Sequence, residues 1–492
     1  MVHLTAECWP YARTGGLGEA VSALASHQAA TGTPVTVILP LYRCVREVAL
    51  KLEPLGPGFA VAVGPRIERA RLYTSRPPGA GPCIVFIELP AFFDRDGLYG
   101  EEGTEYKDNT LRFAFFCRAA LRALPQVAPA AQVVHAHDWH TALAPVYLRT
   151  ALAGHPLYRS LTSVLSVHNA AFQGHCPPEA LSALGLPWSV YDWRLLEWHG
   201  RVNLLKGGLA FADAAVAVSP THSRELCTAT GGFGLHDHFA ALGERLTGVV
   251  NGIDLAVWNP AADPALPAGY SASQLAGKHR CKAVLQKALG LSVQPGIPLI
   301  AMCTRLTEQK GLDLVLGGAL AGAGDAQFAF LGEGDTRYVT ALRRLAAEHP
   351  GRIAAVTTFH DDLEHRLIGG ADLIMMPSRY EPCGLTQMRA QRYGALPVAR
   401  RVGGLADTIE DGATGFLFDE YTPAALGRAL HRALGMFASP DTWRSLMRAA
   451  MSRDVGWGRS VSAYTAVYQR ARRSRGAREL TTRQPPVQGN DR

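Results

Sequence analysis

Two basic side chains stand five positions apart in the segment TRLTEQKG, at the end of the apolar run IPLIAMCTR at 297–305. The guanidinium of Arg305 can bind two phosphate oxygens as a fork, whereas the ammonium of Lys310 acts as a point charge. Cations that converge from one loop suit a pyrophosphate, although two solvated side chains on a surface loop would have the same spacing. Arg305 and Lys310 are therefore candidate ligands of a diphosphate.

A second chemical group follows the apolar run DLIMMPSR at 372–379, in the segment PSRYEPCGLTQ. The carboxylate of Glu381 can accept hydrogen bonds from sugar hydroxyls, and residues 384–386 open a helix whose free amides favour an anion. Cys383 lies between them, but a nucleophilic thiolate needs a basic partner and none is adjacent. The segment indicates a sugar site beside an anion site.

The loop RTGGLGE at 13–19 precedes the helical segment AVSALASHQAA. Gly15 and Gly16 allow the backbone to approach a ligand closely, and the helix start again favours an anion. The spacing differs from G-x-G-x-x-G, and G-x-x-x-x-G-K-[ST] is absent, so the sequence has neither a dinucleotide fingerprint nor an NTPase P-loop. A tight turn without a ligand is the alternative interpretation.

Histidines follow two further apolar runs. VVHAHDWH contains His135, His137, Asp138 and His140, a set that is compatible with a metal site. Adjacent residues of a strand point to opposite faces, and His140 falls in the next turn, so we predict polar contacts that line a ligand cleft instead. His168 in SVHNAAFQG stands at the end of the following strand, where it can touch the same ligand.

Each of these groups must be positioned by the apolar run in front of it. Runs with few alternating polar positions are typical of parallel strands that helices cover on both faces. Helical segments such as TALAPVYLRTAL and LEHRLIGGA fill the intervals, which predicts a doubly wound α/β fold with ligands outside the carboxyl ends of the strands. The predicted strands lie within 34–40, 83–90, 132–138, 163–169, 213–220, 246–254, 297–305, 326–335, 352–360, 372–379 and 395–404.

The 492 residues exceed what one such sheet uses, and 48% hydrophobic against 18% charged residues supply a large core. We predict two Rossmann-like domains, 1–247 and 248–470, with a hinge near 245–255 and a ligand cleft between them. The last helix is expected to pack back on the N-terminal domain. A basic disordered tail at 471–492 is expected to follow it.

The net charge of +7 belongs mostly to this tail, since seven arginines against two acids between Arg470 and Arg492 supply +5 of it. The folded part is nearly neutral, so a nucleic-acid partner is not expected. The chain has no run of eighteen apolar residues and no secretory signal at its start, which predicts no membrane partner. Nine cysteines without a C-x-x-C pair suit a reducing compartment, so we expect a cytoplasmic protein.

Together the motifs resemble one family, the bacterial and plant glycogen and starch synthases, which are retaining glucosyltransferases of the GT-B fold. The resemblance covers roughly residues 2–470. The segments that carry it are FFDRDGLYG, Tyr106–Asn109, VVHAHDWHTALAP, SVHNAAFQG, VNLLKGGLAFAD, VSPT, VVNGID, TRLTEQKGLDL, LGEGD, PSRYEPCGLTQ and RRVGGLADT.

The resemblance implies transfer of glucose from ADP-glucose to the 4-hydroxyl at the non-reducing end of glycogen or another α-1,4-glucan. The anomeric configuration is retained and ADP is released, with no metal and no cofactor. His168, Arg305, Lys310 and Glu381 would be the catalytic residues. The substrate-binding residues implied by the motifs are Arg13, Gly15, Gly16, Asp138, Asn169, Asn251, Phe359, Cys383, Gly384, Leu385 and Thr386.

In this assignment Arg305 and Lys310 hold the diphosphate, Glu381 accepts from the glucose hydroxyls, His168 lines the reacting face and Phe359 packs against the adenine. Backbone amides at Gly16, Leu385 and Thr386 add donors to the phosphates. Front-face transfer is the favoured mechanism, and a covalent intermediate on Glu381 is the alternative.

The chain departs from the family pattern at three positions. Arg13 replaces the usual Lys, Glu19 replaces the usual Asp, and Arg389 stands where related retaining enzymes carry a second Glu. The last difference favours the bacterial and plant branch, and hence ADP-glucose. The alternatives are a GT-B transferase that uses UDP-glucose or makes a different small glucoside, and a glucan-binding protein without catalysis.

Overall fold

The computed structural model describes residues 1–48, 51–75, 81–101 and 103–483, the last seven of them by backbone alone. The chain forms two compact units. Unit 1 comprises residues 1–218, 223–249 and the C-terminal segment from Trp457, and unit 2 comprises 219–222 and 250–456. None of the helices in the described ranges is long and apolar enough to cross a membrane.

Unit 1 is built on a ten-stranded sheet with the order β15-β14-β10-β9-β1-β2-β6-β5-β3, and β4 pairs with β5. Pairing is parallel from β15 to β6 and antiparallel among β3, β4, β5 and β6. The strands of this sheet are β1 Val2–Leu4, β2 Thr36–Pro40, β3 Glu53–Pro54, β4 Phe59–Val63, β5 Arg66–Ser75, β6 Cys83–Glu88, β9 Val133–His137, β10 Thr162–Val167, β14 Ala214–Ala217 and β15 Leu246–Gly248.

Two small antiparallel sheets and eleven helices complete the part of unit 1 that the structure describes. The short strands are β7 Gly100–Glu101, β8 Thr104–Glu105, β11 His175–Cys176, β12 Glu197–Trp198 and β13 Arg201–Asn203. The α-helices are α1 Gly16–Ala30, α2 Arg43–Glu47, α3 Pro90–Phe93, α4 Asn109–Val127, α5 Leu143–Arg149, α6 Pro156–Arg159, α7 Ala180–Leu184, α8 Leu204–Phe211, α9 Pro220–Leu226, whose first three residues belong to unit 2, α10 His236–Ala241 and α19 Gly458–Arg483.

The C-terminal helix α19 packs on the sheet of unit 1. Its buried residues Val461, Tyr464, Tyr468 and Ala471 recur at helical spacing, and with α1 and the preceding Trp457 they cover one face of β9, β10 and β14. The expectation of a disordered tail from 471 was wrong for residues 471–483, because Ala471 is still buried and the helix continues to Arg483. Residues 484–492 of the predicted tail lie outside the described ranges.

Unit 2 contains a six-stranded sheet, parallel throughout, with the order β18-β17-β16-β19-β20-β21. Its strands are β16 Leu299–Cys303, β17 Gln327–Leu331, β18 Ile353–Val356, β19 Leu373–Met376, β20 Leu396–Arg400 and β21 Phe416–Phe418. Its helices are α11 Ala276–Ala288, α12 Leu312–Leu314, which continues as a π-helical segment Val315–Ala319, α13 Thr336–Glu348, α14 Asp361–Gly370, α15 Thr386–Arg392, α16 Gly403–Thr408, α17 Pro423–Phe437 and α18 Pro440–Met451.

The doubly wound α/β prediction is confirmed, and each of the eleven predicted apolar runs contains a strand. The antiparallel pair β4–β5 was missed. Its residues alternate between exposed and buried along much of their length, so the pair has no continuous apolar run. In each unit the strand order reverses beside a central strand, at β1 in unit 1 and at β16 in unit 2, and such switch points create ligand crevices.

Candidate active site

In unit 2 the loops after β16 and β19 lie side by side, because these two strands are paired in parallel at the switch point. The Lys310 Nζ atom is 2.6 Å from Glu381 Oε2, and both side chains are largely buried. The Ser378 hydroxyl donates to the same carboxylate oxygen at 2.9 Å. The structure therefore joins two residues predicted from separate motifs, and it adds Ser378, which lies in the motif but was not singled out.

Gly311 allows the two loops to come this close. Its φ is +74°, and a Cβ there would lie 2.0 Å from the carbonyl oxygen of Pro377. The Arg379 amide also donates to the Gln309 carbonyl at 2.8 Å. A side chain at 311 would push the loops apart, so the Lys310–Glu381 contact depends on this glycine.

The glycines of RRVGGLADT, in the loop after β20, contact the backbone of the segment that carries Glu381. The Gly404 amide donates to the Glu381 carbonyl at 3.0 Å. A Cβ at Gly403 would lie 1.9 Å from that carbonyl oxygen, and one at Gly404 would lie 2.0 Å from the Cys383 carbonyl oxygen. These contacts fix the backbone of the Glu381–Cys383 segment.

Two further predicted site residues of unit 2, Arg305 and Asn251, have polar groups that could bind a ligand. Arg305 is exposed, and its guanidinium forms no ion pair with any residue that the structure describes. The Oδ1 atom of Asn251 is buried and has no hydrogen-bond partner in the described chain. A buried acceptor without a partner is costly, so this atom indicates a place for a ligand donor.

The remaining predicted residues of unit 2 occupy different positions. Gly384, with φ of +71°, precedes α15, and Leu385 and Thr386 begin that helix, where first-turn amides have no partner within the helix. Phe359 is half-buried in the loop after the edge strand β18, two strands away from β16. The strand order therefore separates Phe359 from the Lys310–Glu381 pair.

Cys383 is buried, and burial raises the pKa of its thiol to about 12. A thiol with this pKa is protonated at neutral pH, which supports the prediction that it is not a nucleophile. All nine cysteines of the chain are free.

Arg389, the residue that replaces the second Glu of related enzymes, contributes to packing. Its Nη1 atom donates to Glu364 Oε1 at 2.8 Å, and its guanidinium lies 4.2 Å from the ring centroid of Trp258. Both members of the ion pair are buried. The position is therefore a structural cation in this chain.

In unit 1, Asp138 links the ends of two neighbouring strands. It follows β9 with an unusual positive φ of +58°, and its Oδ1 atom accepts hydrogen bonds from the backbone amides of His168 at 2.6 Å and Asn169 at 3.3 Å. Burial raises the pKa of the Asp138 carboxyl to about 7. The sequence placed these residues at one sheet edge, and the structure shows their direct contact.

The glycine loop is held by Glu7, which sequence reasoning missed. Its carboxylate accepts from the Thr14 amide and the Thr14 hydroxyl, each at 2.8 Å, and from the Tyr99 hydroxyl at 2.7 Å. Gly15 caps α1 and Gly16 begins it. The available signal was an isolated acid directly after the first strand, in VHLTAEC.

The two loop residues that depart from the family pattern form an ion pair with each other. Arg13 Nη1 lies 3.1 Å from Glu19 Oε1, and both side chains are about one-third exposed. Glu19 is longer than the usual Asp and Arg13 is longer than the usual Lys, and the two side chains meet across the glycine loop. The two departures are therefore coupled in the structure.

The prediction that the polar side chains of VVHAHDWH line a ligand cleft was wrong for His135 and His137. His135 and His137 are fully buried, and with His3 they form a cluster whose ring centroids lie 4.1–5.3 Å apart. They point to the same side of the sheet because they are two residues apart on one strand. His137 Nδ1 lies 3.0 Å from His168 Nε2, so the cluster lies behind the predicted catalytic histidine.

Comparison with known proteins identifies the family of the chain. A family model described as the starch synthase catalytic domain matches residues 1–241, and one described as glycosyl transferases group 1 matches residues 297–435. A glycogen synthase from Anaeromyxobacter dehalogenans strain 2CP-1 is 43% identical over 95% of this chain and 98% of its own length. Glycogen synthase 2 from Geobacter sulfurreducens is 40% identical over 95% and 98%, respectively.

Among solved structures, the catalytic domain of starch synthase IV from Arabidopsis thaliana, bound to ADP and acarbose, matches with a TM-score of 0.88 and 32% identity. The match covers 96% of this chain and 99% of that one. Sucrose-phosphate synthase from Thermosynechococcus elongatus, at a TM-score of 0.61 and 17% identity, shares the fold. From these matches and the motifs above, the chain belongs to the glycogen and starch synthases, hexosyltransferase enzymes of the GT-B fold.

Proposed function

We propose that the chain transfers glucose from ADP-glucose to the non-reducing 4-hydroxyl of glycogen or another α-1,4-glucan, with retention of configuration and release of ADP. The observation that carries this proposal is the Lys310–Glu381 pair, together with the exposed Arg305 in the same loop as Lys310. This set offers cations for a diphosphate and a carboxylate for sugar hydroxyls within two adjacent loops. The ADP bound to the Arabidopsis relative supports the choice of nucleotide.

Arg305 and Lys310 would stabilise the diphosphate as it leaves the sugar. Negative charge grows on the phosphate oxygens in the transition state, and cations already in place need little reorganisation. The contact with Glu381 holds Lys310 through one N–H, and the other two N–H groups of the ammonium are then available for phosphate. Loss of such a donor typically costs about 3–4 kcal/mol of transition-state stabilisation.

Glu381 would orient the glucose. Its Oε2 atom accepts from Lys310 and Ser378, and Oε1 takes no hydrogen bond from another described side chain. An oxygen with this freedom can accept from a sugar hydroxyl. Amides at Leu385 and Thr386 would add donors to the phosphates, Asn251 and the Gly384 and Cys383 backbone would line the site, and Phe359 would pack on the adenine.

Residues of unit 1 would act on the reacting face of the sugar. Asp138 fixes the backbone at His168 and Asn169, so a peptide dipole there can stabilise the cationic sugar carbon. In front-face transfer the leaving phosphate takes the proton of the acceptor hydroxyl, and no protein nucleophile is needed. Trapping of a glucosyl adduct on Glu381 during turnover would instead establish the covalent alternative.

The assignment of functions to domains is part of the proposal: residues 1–247 serve the acceptor and carry the glycine loop with Arg13, Gly15 and Gly16, and residues 248–470 bind the nucleotide sugar. We also propose that two protein cations replace the metal on which other transferases rely, so that no metal is needed. A cytoplasmic location is supported by the nine free cysteines, which suit a reducing compartment.

The test is ADP release from ADP-glucose with glycogen, in EDTA, beside an identical reaction with UDP-glucose. Lys310→Ala should lower kcat by about 100-fold or more. Lys51→Ala is the matched control, because Lys51 is an exposed lysine whose contact is a surface pair with Glu53.

A preference for UDP-glucose would refute the donor assignment while leaving the transfer chemistry in place. Binding of glycogen by the folded protein without release of either nucleotide would establish the non-catalytic alternative.

A further inference from the structure

Seven side chains of unit 1 form one continuous chain of hydrogen bonds, which we call the imidazole relay. Its six links measure 2.7–3.0 Å between heavy atoms. Six members are buried, and the terminal His168 is half-buried. The members, in order along the chain of bonds, are His168, His137, His3, Gln28, Tyr468, His135 and Ser166.

The orientation of the Gln28 amide, with Oε1 toward His3 and Nε2 toward Tyr468, gives the relay a direction, because the two ends of an amide differ chemically. Its Oε1 atom can only accept, so His3 must donate from Nε2 across the 2.8 Å contact. Its Nε2 atom donates to the Tyr468 hydroxyl at 3.0 Å. The hydroxyl proton of Tyr468 is then left for His135 Nδ1 at 2.9 Å.

The donor and acceptor roles at Gln28 determine those of each imidazole in turn. A neutral imidazole carries a single N–H, so His3 accepts at Nδ1 from His137 Nε2. His137 then accepts at Nδ1 from His168 Nε2. The nitrogen of His168 that remains bare is Nδ1, an acceptor outside the relay.

The imidazoles of the relay are neutral at physiological pH, as this argument requires. Burial lowers the pKa of His3 to about 4 and that of His168 to about 3, and it holds the pKa values of His135 and His137 well below their usual range. Each ring therefore has one donor and one acceptor, and reversing one link reverses its neighbours.

We propose that Gln28, held by Tyr468, is a positioning residue that fixes His168 as the Nε2–H tautomer and thereby presents Nδ1 as an acceptor to a hydroxyl of the donor sugar. This inference rests on the proposed function, which places His168 at the reacting face of the glucose. With the Gln28 amide rotated, every link runs the other way, and His168 presents an N–H instead. One amide thus decides whether the site offers a donor or an acceptor.

The same cluster also has the spacing of a metal site, since ligand atoms of His3, His135 and His137 lie within 4.8 Å of one another. Every ring nitrogen of these three residues already has a hydrogen-bond partner in the relay. The closed set of hydrogen bonds favours the relay over a bound ion.

Gln28→Glu tests the direction with almost no change in shape. A carboxylate accepts at both oxygens and favours a doubly protonated His3, which then donates from Nδ1 to His137. His137 must carry its proton on Nδ1 and donate to His168, whose own proton moves to Nδ1. The tautomer of His168 is therefore expected to reverse.

The tautomers are read from the nitrogen chemical shifts of protein labelled with ¹⁵N-histidine, with a His168→Asn variant to assign the signal. Steady-state ADP release gives kcat and KM for ADP-glucose. In the wild type, His168 should carry its proton on Nε2. In Gln28→Glu the proton should lie on Nδ1, and kcat should fall about tenfold or more while KM changes less than about twofold, as expected when a donor faces a donor.

Tyr468→Phe is the second variant, because it leaves the Gln28 amide without its acceptor and should lower kcat about fivefold. Tyr464→Phe is the matched control: it removes a hydroxyl one turn earlier on α19 without removing any link of the relay, and kcat should stay within about twofold.

An active wild type with the His168 proton on Nδ1, a stoichiometric metal ion in the purified protein, or a reversed tautomer with unchanged kcat would each overturn the relay. Failure of the proposed function would look different, because the wild type itself would then release no ADP.

Discussion

Replacement of Asp138 by Asn should change how the stability of the protein depends on pH. Burial raises the pKa of this carboxyl from 3.8 to about 7, with a smaller contribution from the Glu7 carboxylate, while the amides of His168 and Asn169 oppose the rise. The folded protein therefore holds a proton that the unfolded chain releases near pH 4. Because the folded state binds more protons in this window, the free energy of unfolding falls as the pH rises through it.

The magnitude follows from the pKa difference of about three units. At about 1.4 kcal/mol per unit, the ionisable carboxyl costs the folded state about 4 kcal/mol above pH 7. Part of this cost is already present at pH 5, so about 2.5 kcal/mol of it develops between pH 5 and pH 8. An asparagine keeps the oxygen that accepts from the two amides, but it cannot ionise.

The measurement is differential scanning calorimetry of the wild type and Asp138→Asn at several values between pH 5 and pH 8. The melting temperature of the variant, relative to the wild type, should rise by about 2–4 °C across this range. Asp96→Asn is the control, because it removes a surface carboxylate of unit 1 that pairs with Arg43. A difference between wild type and Asp138→Asn that stays constant with pH would show that Asp138 ionises normally in the folded protein, and the burial argument would fail.

Three further outcomes are expected. Arg389→Met should lower the free energy of unfolding of unit 2 by about 3–5 kcal/mol, because it leaves the Glu364 carboxylate buried without its cation. Urea titration measures this change, and a loss below about 1 kcal/mol would contradict the expectation. Cys383 should resist a disulfide reagent at pH 8 in the folded protein and react after unfolding, because burial raises the pKa of its thiol to about 12. Peptide mass mapping locates the modified thiol, and rapid modification of Cys383 before unfolding would refute the prediction. Deletion of the residues after Arg475 should leave the rate of ADP release within about twofold of the wild-type rate, because Ala471 stays buried and the Arg475 guanidinium still donates to the Arg159 carbonyl. A larger loss of activity would show that the tail contributes to it.

Much of the site was predictable because its residues follow apolar strands. The runs before Arg305, Glu381, Asp138 and His168 each form a strand, and their carboxyl ends bring the side chains to the switch points of the sheets. The pattern did not predict which residues hydrogen-bond to these side chains and hold them in place. Ser378 donates to the carboxylate of Glu381, and nothing in its local sequence distinguishes it from any other loop serine.

The doubly wound architecture, the family and the loops proposed to carry the chemistry could all be predicted from the amino-acid pattern, because apolar runs and glycine-rich turns are local features of the chain. The folded structure was needed to show that the histidines of VVHAHDWH are buried, that burial raises the pKa of Asp138 and that Gln28 contacts Tyr468 across 440 positions of chain. Burial and the direction of a hydrogen bond depend on which distant groups surround an atom. Those neighbours exist only after the sheet and its covering helices have packed.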